Sequence, residues 1–193
     1  MKTAITTILC LATLNTCVSA ITLVAAQDTD VYQYTGSRTG TYFSLNTTPS
    51  DAHALKSMIQ FEINETTVGF SADKVGSAIL RLYVLAPFGE RESFTAGDIN
   101  VYTQTQAWDE LTADWNSFVE GELIGSFNVA AHSTVNASAY VEVDITDTVK
   151  SWLSGATSNN GLILRTPTTS TGASTAFASR EFEIGRASCR ERV

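Results

Sequence analysis

The sequence has little basic charge, little proline, almost no histidine and few cysteines. Twelve Lys and Arg face 20 Asp and Glu, a formal charge of −8 over 193 residues. Nucleic-acid binding needs a basic footprint, so that class is excluded. Three Pro and 12 Gly exclude a collagen-like or Pro-rich chain. Charged residues make up only 17% of the chain against 44% hydrophobic, which excludes disorder. The apolar stretch Ala4 to Leu14 is too short to cross a bilayer. What is abundant is threonine, with 27 residues, a β-branched excess that favours strands. The length suits one sizeable core and is too short for two ordinary domains.

Both ends read as separate from the fold. Lys2 followed by the apolar stretch has the form of a secretory leader, with small-residue exits at Val18-Ser19-Ala20 and Val24-Ala25-Ala26. Cleavage after Ala20 is preferred because Ile21 to Val24 then opens the mature chain as a strand. Leu14-Asn15-Thr16-Cys17 is a poor lipoprotein box because of its Thr. Glu183 to Val193 resembles the in-frame translation of a short-read sequencing adaptor, so the native chain is expected to diverge after Phe182. This divides the chain into a leader (1–20), one domain (21–182) and a non-native tail (183–193). Removing Lys2, Arg186, Arg190, Arg192, Glu183 and Glu191 leaves 8 basic and 18 acidic residues, a charge of −10. Cys10, Cys17 and Cys189 go with the ends, so the domain has no disulfide, no thiol nucleophile and no Cys metal site.

Between the ends, several segments alternate at period two. Ile59, Phe61 and Ile63 oppose Lys56, Met58, Gln60 and Glu62; Leu80, Leu82 and Val84 oppose Arg81 and Tyr83. Val141, Val143 and Ile145 oppose Glu142 and Asp144; Val101, Leu164 and the segment Thr175 to Phe182 add further strands. Turn signals such as Pro87-Phe88-Gly89 and Ser158-Asn159-Asn160-Gly161 separate them. One helix is expected over 147–154: Thr146 as N-cap, Asp147 in the first turn, Val149, Trp152 and Leu153 as the apolar face, and Gly155 as the stop. The fold class is therefore all-β, an antiparallel β-sandwich or jelly roll with one short helix. The expected core is Ile59, Phe61, Ile63, Leu80, Leu82, Val84, Val101, Val143, Ile145, Trp152, Leu153 and Leu164.

An ordered set of blocks carries a more specific likeness. Lys56 to Ile63 followed by Gly76 to Val84, Trp108-Asp109-Glu110 with Asp114-Trp115-Asn116, Val143 to Gly155, Asn159 to Leu164, and Phe177 to Glu181 together resemble the DNRLRE domain family. The resemblance implies a β-jelly roll, a secreted or cell-surface setting beside other domains, and a kinship with carbohydrate-binding modules. Gln60 departs from the family, standing where it usually has a basic residue. The family's closing Pro and final strand are absent.

No catalytic motif is visible. His53 and His132 lie in polar, turn-like stretches without a nucleophile motif, and Asp109, Glu110 and Asp114 read best as polar residues around a Trp loop. Asp28 and Asp30, at i and i+2 before a strand, are candidate ligands for a structural Ca²⁺; the alternative is a solvated acidic turn. Trp108, Trp115 and Trp152 read as core or loop anchors, and Tyr83, Tyr102 and Tyr140 as stacking platforms or cross-strand pairs. Lys56, Arg81, Arg165 and Tyr83 are the expected ligand-binding residues: they occupy non-core strand positions and would form a small cationic patch if they share one face. The alternative is pairing with Glu62, Glu142 or Asp144. Asn46, Asn64 and Asn136 head Asn-X-Ser/Thr sequons at near-chance frequency. The function expected is a secreted, non-catalytic module, a fragment of a larger protein, that binds an acidic or other extended polysaccharide. The alternative is a structural or adhesive extracellular domain.

Overall fold

The structure, a computed structural model, describes residues 7–14, 17–33, 36–38, 44–48, 54–85, 93–130, 132–133, 139–167 and 174–182. The strands are β1 (Thr7–Leu14), β2 (Cys17–Val24), β3 (Gln27–Tyr32), β4 (Gly36–Arg38), β5 (Ser44–Thr47), β6 (Leu55–Gln60) and β7 (Val75–Val84). They continue with β8 (Ser93–Phe94), β9 (Gly97–Gln104), β10 (Glu120–Val129), β11 (His132–Ser133), β12 (Ala139–Asp144), β13 (Leu162–Arg165) and β14 (Thr175–Ala178). Helix α1 (Glu65–Val68) is a single turn, and α2 (Thr146–Leu153) is the one longer helix among the described residues.

Among the described residues, two antiparallel six-stranded sheets form the sandwich, and β8 and β11 pair as a separate two-stranded sheet. The first runs β2-β1-β7-β14-β5, with β12 also paired to β7. The second runs β10-β9-β13-β6-β3-β4. The sandwich expected from the alternation is the one that forms, and all of the residues expected inside lie in its main core, with Leu80, Leu82 and Ile59 at 0% exposure. Helix α2 lays Val149, Trp152 and Leu153 against that core. The expected N-cap moves by one residue. Ile145 holds the cap position, and the Asp144 carboxylate accepts from the Thr146 N–H at 2.9 Å and from its hydroxyl at 2.6 Å. The Thr146 hydroxyl oxygen in turn accepts from the Ala78 N–H, tying the helix start to β7. These two hydrogen bonds hold Asp144 ionised, below the ordinary carboxylate range.

A second, smaller core forms on the face of β6 that alternation reads as outward. Met58, Ile163 and Val31 are fully buried there under Ala113, Phe118, Trp108 and Trp115. The loop between β9 and β10 makes this cover. Its acids organise it: Asp109 accepts from the Leu111 N–H, and Asp114 caps the 3₁₀ turn Trp115–Ser117 with a full capping box. The reading of both Trp residues as loop anchors holds, as does the reading of Asp109 and Asp114 as loop residues.

The apolar leader stretch lies differently from expectation. Residues 1–20 were expected to stand apart from the domain, yet β1 pairs along β7 from Thr7↔Arg81 to Ala12↔Val75. The reason lies in β7. Strand β12 takes one of its sides from Ile79 to Val84, and β14 meets the other only at Val84. The backbone groups from Val75 to Arg81 therefore face an open edge, and an apolar strand satisfies them. The tail 183–193 lies outside the described residues.

Candidate functional site

Lys56 on β6 and Arg165 on β13 are directly opposed across their strands, and Arg165 is opposed on its other side by Asn100 on β9. One row of polar side chains thus crosses three central strands, about 4.8 Å apart. Both cations converge on Glu120 at the start of β10: the Lys56 ammonium lies 2.9 Å from one carboxylate oxygen and Arg165 Nη1 2.7 Å from the other. The Lys56 ammonium also sits 4.5 Å from the centre of the Trp115 ring. Burial raises the Glu120 pKa, but hydrogen bonds and charge from Lys56 and Arg165 outweigh it and hold the group below its ordinary value. The row carries two positive charges and one negative. Arg165, with a third of its side chain exposed, is the more open of the two cations. The sequence singles out Lys56 and Arg165 as candidates, and the strand order sets Asn100 and Glu120 beside them, two residues that carry no such signal in the sequence. Neither stands near them in sequence, and only strand order brings them together.

Arg81 and Tyr83 are elsewhere. Both lie on β7, in the opposite sheet, so the single patch of Lys56, Arg81, Arg165 and Tyr83 does not form. Alternation says which way a side chain faces along its strand; it does not say which sheet the strand joins. Arg81 pairs with Glu142 across β12 at 3.1 Å and lies 3.8 Å from the Tyr140 ring centre. Tyr83 meets Tyr140 edge-on at 5.1 Å between centroids. The cross-strand pairing alternative therefore describes Arg81 and Tyr83. Tyr102 packs into the smaller core and is only partly exposed.

Asp28 and Asp30 lie within β3 rather than before it, and both are buried, at 1% and 2% exposure, so neither belongs to a solvated turn. They connect parts of the sandwich. Asp30 accepts from the backbone N–H of Asn46 at 3.1 Å and from its side-chain amide at 2.7 Å, joining β3 to β5 of the other sheet. Asp28 accepts from the Arg180 N–H at 2.8 Å. The Arg180 guanidinium donates to the Ala26 carbonyl and pairs with Glu110 and Glu181. Arg180 thus staples the chain after β14 to β3 and to the Trp loop. Burial, reinforced by the charges of Glu181 and Glu110, pushes Asp28 up to about 8 against the opposing pull of Arg180. Among the described residues no group of three His, Cys, Asp or Glu side chains is arranged to hold a metal ion.

The sequons divide as well. Asn46 is buried in the Asp30 clip, Asn64 is exposed and caps α1, and Asn136 lies outside the described residues. His53 lies outside them too.

The model of carbohydrate-binding module family 96 matches residues 19–186, most of the chain. No curated protein matches it.

Proposed function

We propose, from the premise that this chain belongs to carbohydrate-binding module family 96, that it acts outside the cell and holds an extended, acidic polysaccharide along the Lys56–Arg165–Asn100 row. The chain is a carbohydrate-binding module and, as such, not an enzyme. The row carries this reading. It runs across the strands, so an extended chain laid along it meets one polar side chain per strand. Arg165 has a planar fork suited to uronate carboxylates, Lys56 supplies a point charge, and Trp115 lies at the edge of the row. Arg81 and Tyr83, on the far sheet, take no part. Asp28 and Asp30 are engaged between the sheets, so the reading does not depend on Ca²⁺. The leader ending at Ala20, the divergence after Phe182 and the narrower DNRLRE likeness belong to the same reading: a secreted module cut from a larger protein.

Retention on immobilised oligogalacturonate, measured for the wild type and for Arg165→Ala at two salt concentrations, tests it. A wild type that binds, weakens with added salt and loses about tenfold or more on substitution supports the site, because a charge-assisted contact is worth about 1.5–3 kcal/mol. Equal retention of both proteins discards the row. Failure of the wild type to bind oligogalacturonate discards the acidic ligand.

A further inference from the structure

A cleft of about 920 Å³ opens at the β10 edge of the sandwich, where β10 and the end of β9 face the start of α2. Its volume lies within the range of small-ligand sites, about 300–1,000 Å³. None of its lining residues belongs to the Lys56–Arg165 row.

The lining has a definite chemistry. Eight Ser and Thr residues line it, with the acids Glu122, Asp144 and Asp147, and no Lys or Arg is among the lining residues. Glu122 and Asp147 are exposed. Leu123 is 52% exposed and lines the same space, a large apolar side chain left open in a polar wall.

The backbone is shaped to produce this. The register of β10 against β9 shifts twice, between Glu120 and Leu123 and between Leu123 and Gly125. Such irregularities re-aim side chains at sheet edges. A Cβ at Gly121 would collide with the Thr103 hydroxyl and with Thr105, and one at Gly125 would come within 2.7 Å of Val143. The two glycines let the irregular strand lie close to its neighbours while Glu122 and Leu123 turn to the cleft.

We propose that this cleft is a second carbohydrate site, one that takes an uncharged glycan. Carboxylates accept pairs of sugar hydroxyls in charge-assisted hydrogen bonds, and Ser and Thr hydroxyls both donate and accept. Leu123 covers the C–H face of a sugar ring. A polyanion is turned away, because three carboxylates face it with no lining cation to offset them. The proposal rests on the family's carbohydrate binding and uses none of the residues of the Lys56–Arg165–Asn100 row.

The test is calorimetric titration of the full chain with cellohexaose, mannohexaose and xylohexaose, with oligogalacturonate as the charged probe. At least one uncharged hexaose is expected to bind. The double variant Glu122→Gln/Asp147→Asn should weaken that binding about tenfold or more, Leu123→Asp should abolish it, and Arg165→Ala should leave it unchanged. Saturating oligogalacturonate should not displace the hexaose. All three cleft residues are exposed, and matching thermal melts confirm that the variants fold. Absence of binding by every uncharged hexaose overturns the site, as does binding that survives the cleft variants or is lost with Arg165→Ala. If oligogalacturonate fails to bind while a hexaose succeeds, the reading of the Lys56–Arg165–Asn100 row falls and the cleft stands.

Discussion

Replacing Asp28 by Asn should make the protein more stable in alkali and change it little in acid. Asp28 is 1% exposed, and its carboxylate accepts from the Arg180 backbone N–H, a bond that an Asn carbonyl can also accept. Its carboxyl titrates at about 8 in the fold against 3.8 in a free chain. Between those values the folded protein holds a proton that the unfolded chain has released. Bound protons favour the folded state there, so stability falls as pH rises. The contribution is complete below about 4, declines through the window and is gone above about 8. The slope is at most about 1.4 kcal/mol per pH unit, so the whole window, about four units wide, is worth at most about 6 kcal/mol. Asn carries no titrating proton, so its slope is zero. The assay is urea unfolding followed by circular dichroism at pH 5, 7 and 9, read as the difference between variant and wild type. Taking the difference removes groups such as Asp144 and Glu120, whose lowered pKa values give the opposite dependence in acid. The difference should grow in favour of the variant from pH 5 to pH 9. A constant difference would refute the reasoning, since it would mean that Asp28 is ionised throughout.

Four further outcomes follow from the same geometry. Leu82→Ala, at a fully buried site, should cost about 2–5 kcal/mol in urea unfolding. Asn46→Ala removes the side-chain half of the Asp30 clip and should cost about 1–3 kcal/mol, whereas the same change at exposed Asn116 should be near neutral by thermal melt. Gly161→Ala should destabilise measurably in the same assay, because Gly161 has φ +89° and an added Cβ would strike the Ile59 carbonyl. Glu120→Gln should free Lys56 and Arg165 from their shared carboxylate and tighten binding to oligogalacturonate while lowering Tm slightly; unchanged affinity would argue against the row.

Much of the fold was legible in the sequence, and the physical reason is local. A half-buried strand must alternate, so Ile59, Leu80, Leu82 and Val143 announce their faces. An amphipathic helix must repeat Val149, Trp152 and Leu153 on one side. The ordered motif blocks likewise pointed to a carbohydrate-binding module rather than to an enzyme. What depends on strand order was not legible. Met58 faces outward by alternation and is nonetheless buried, because a loop some fifty residues later folds over it. Asp28 and Asp30 look like surface acids until their partners arrive from Arg180 and Asn46. Lys56 and Arg81 share a pattern and not a sheet, so they stand on opposite faces of the molecule. Periodicity along one strand is set by its own backbone geometry, whereas the neighbour across the ladder is chosen by the packing of the whole chain. The tertiary structure alone therefore decided which cations could share a ligand, and it placed Glu120 between them.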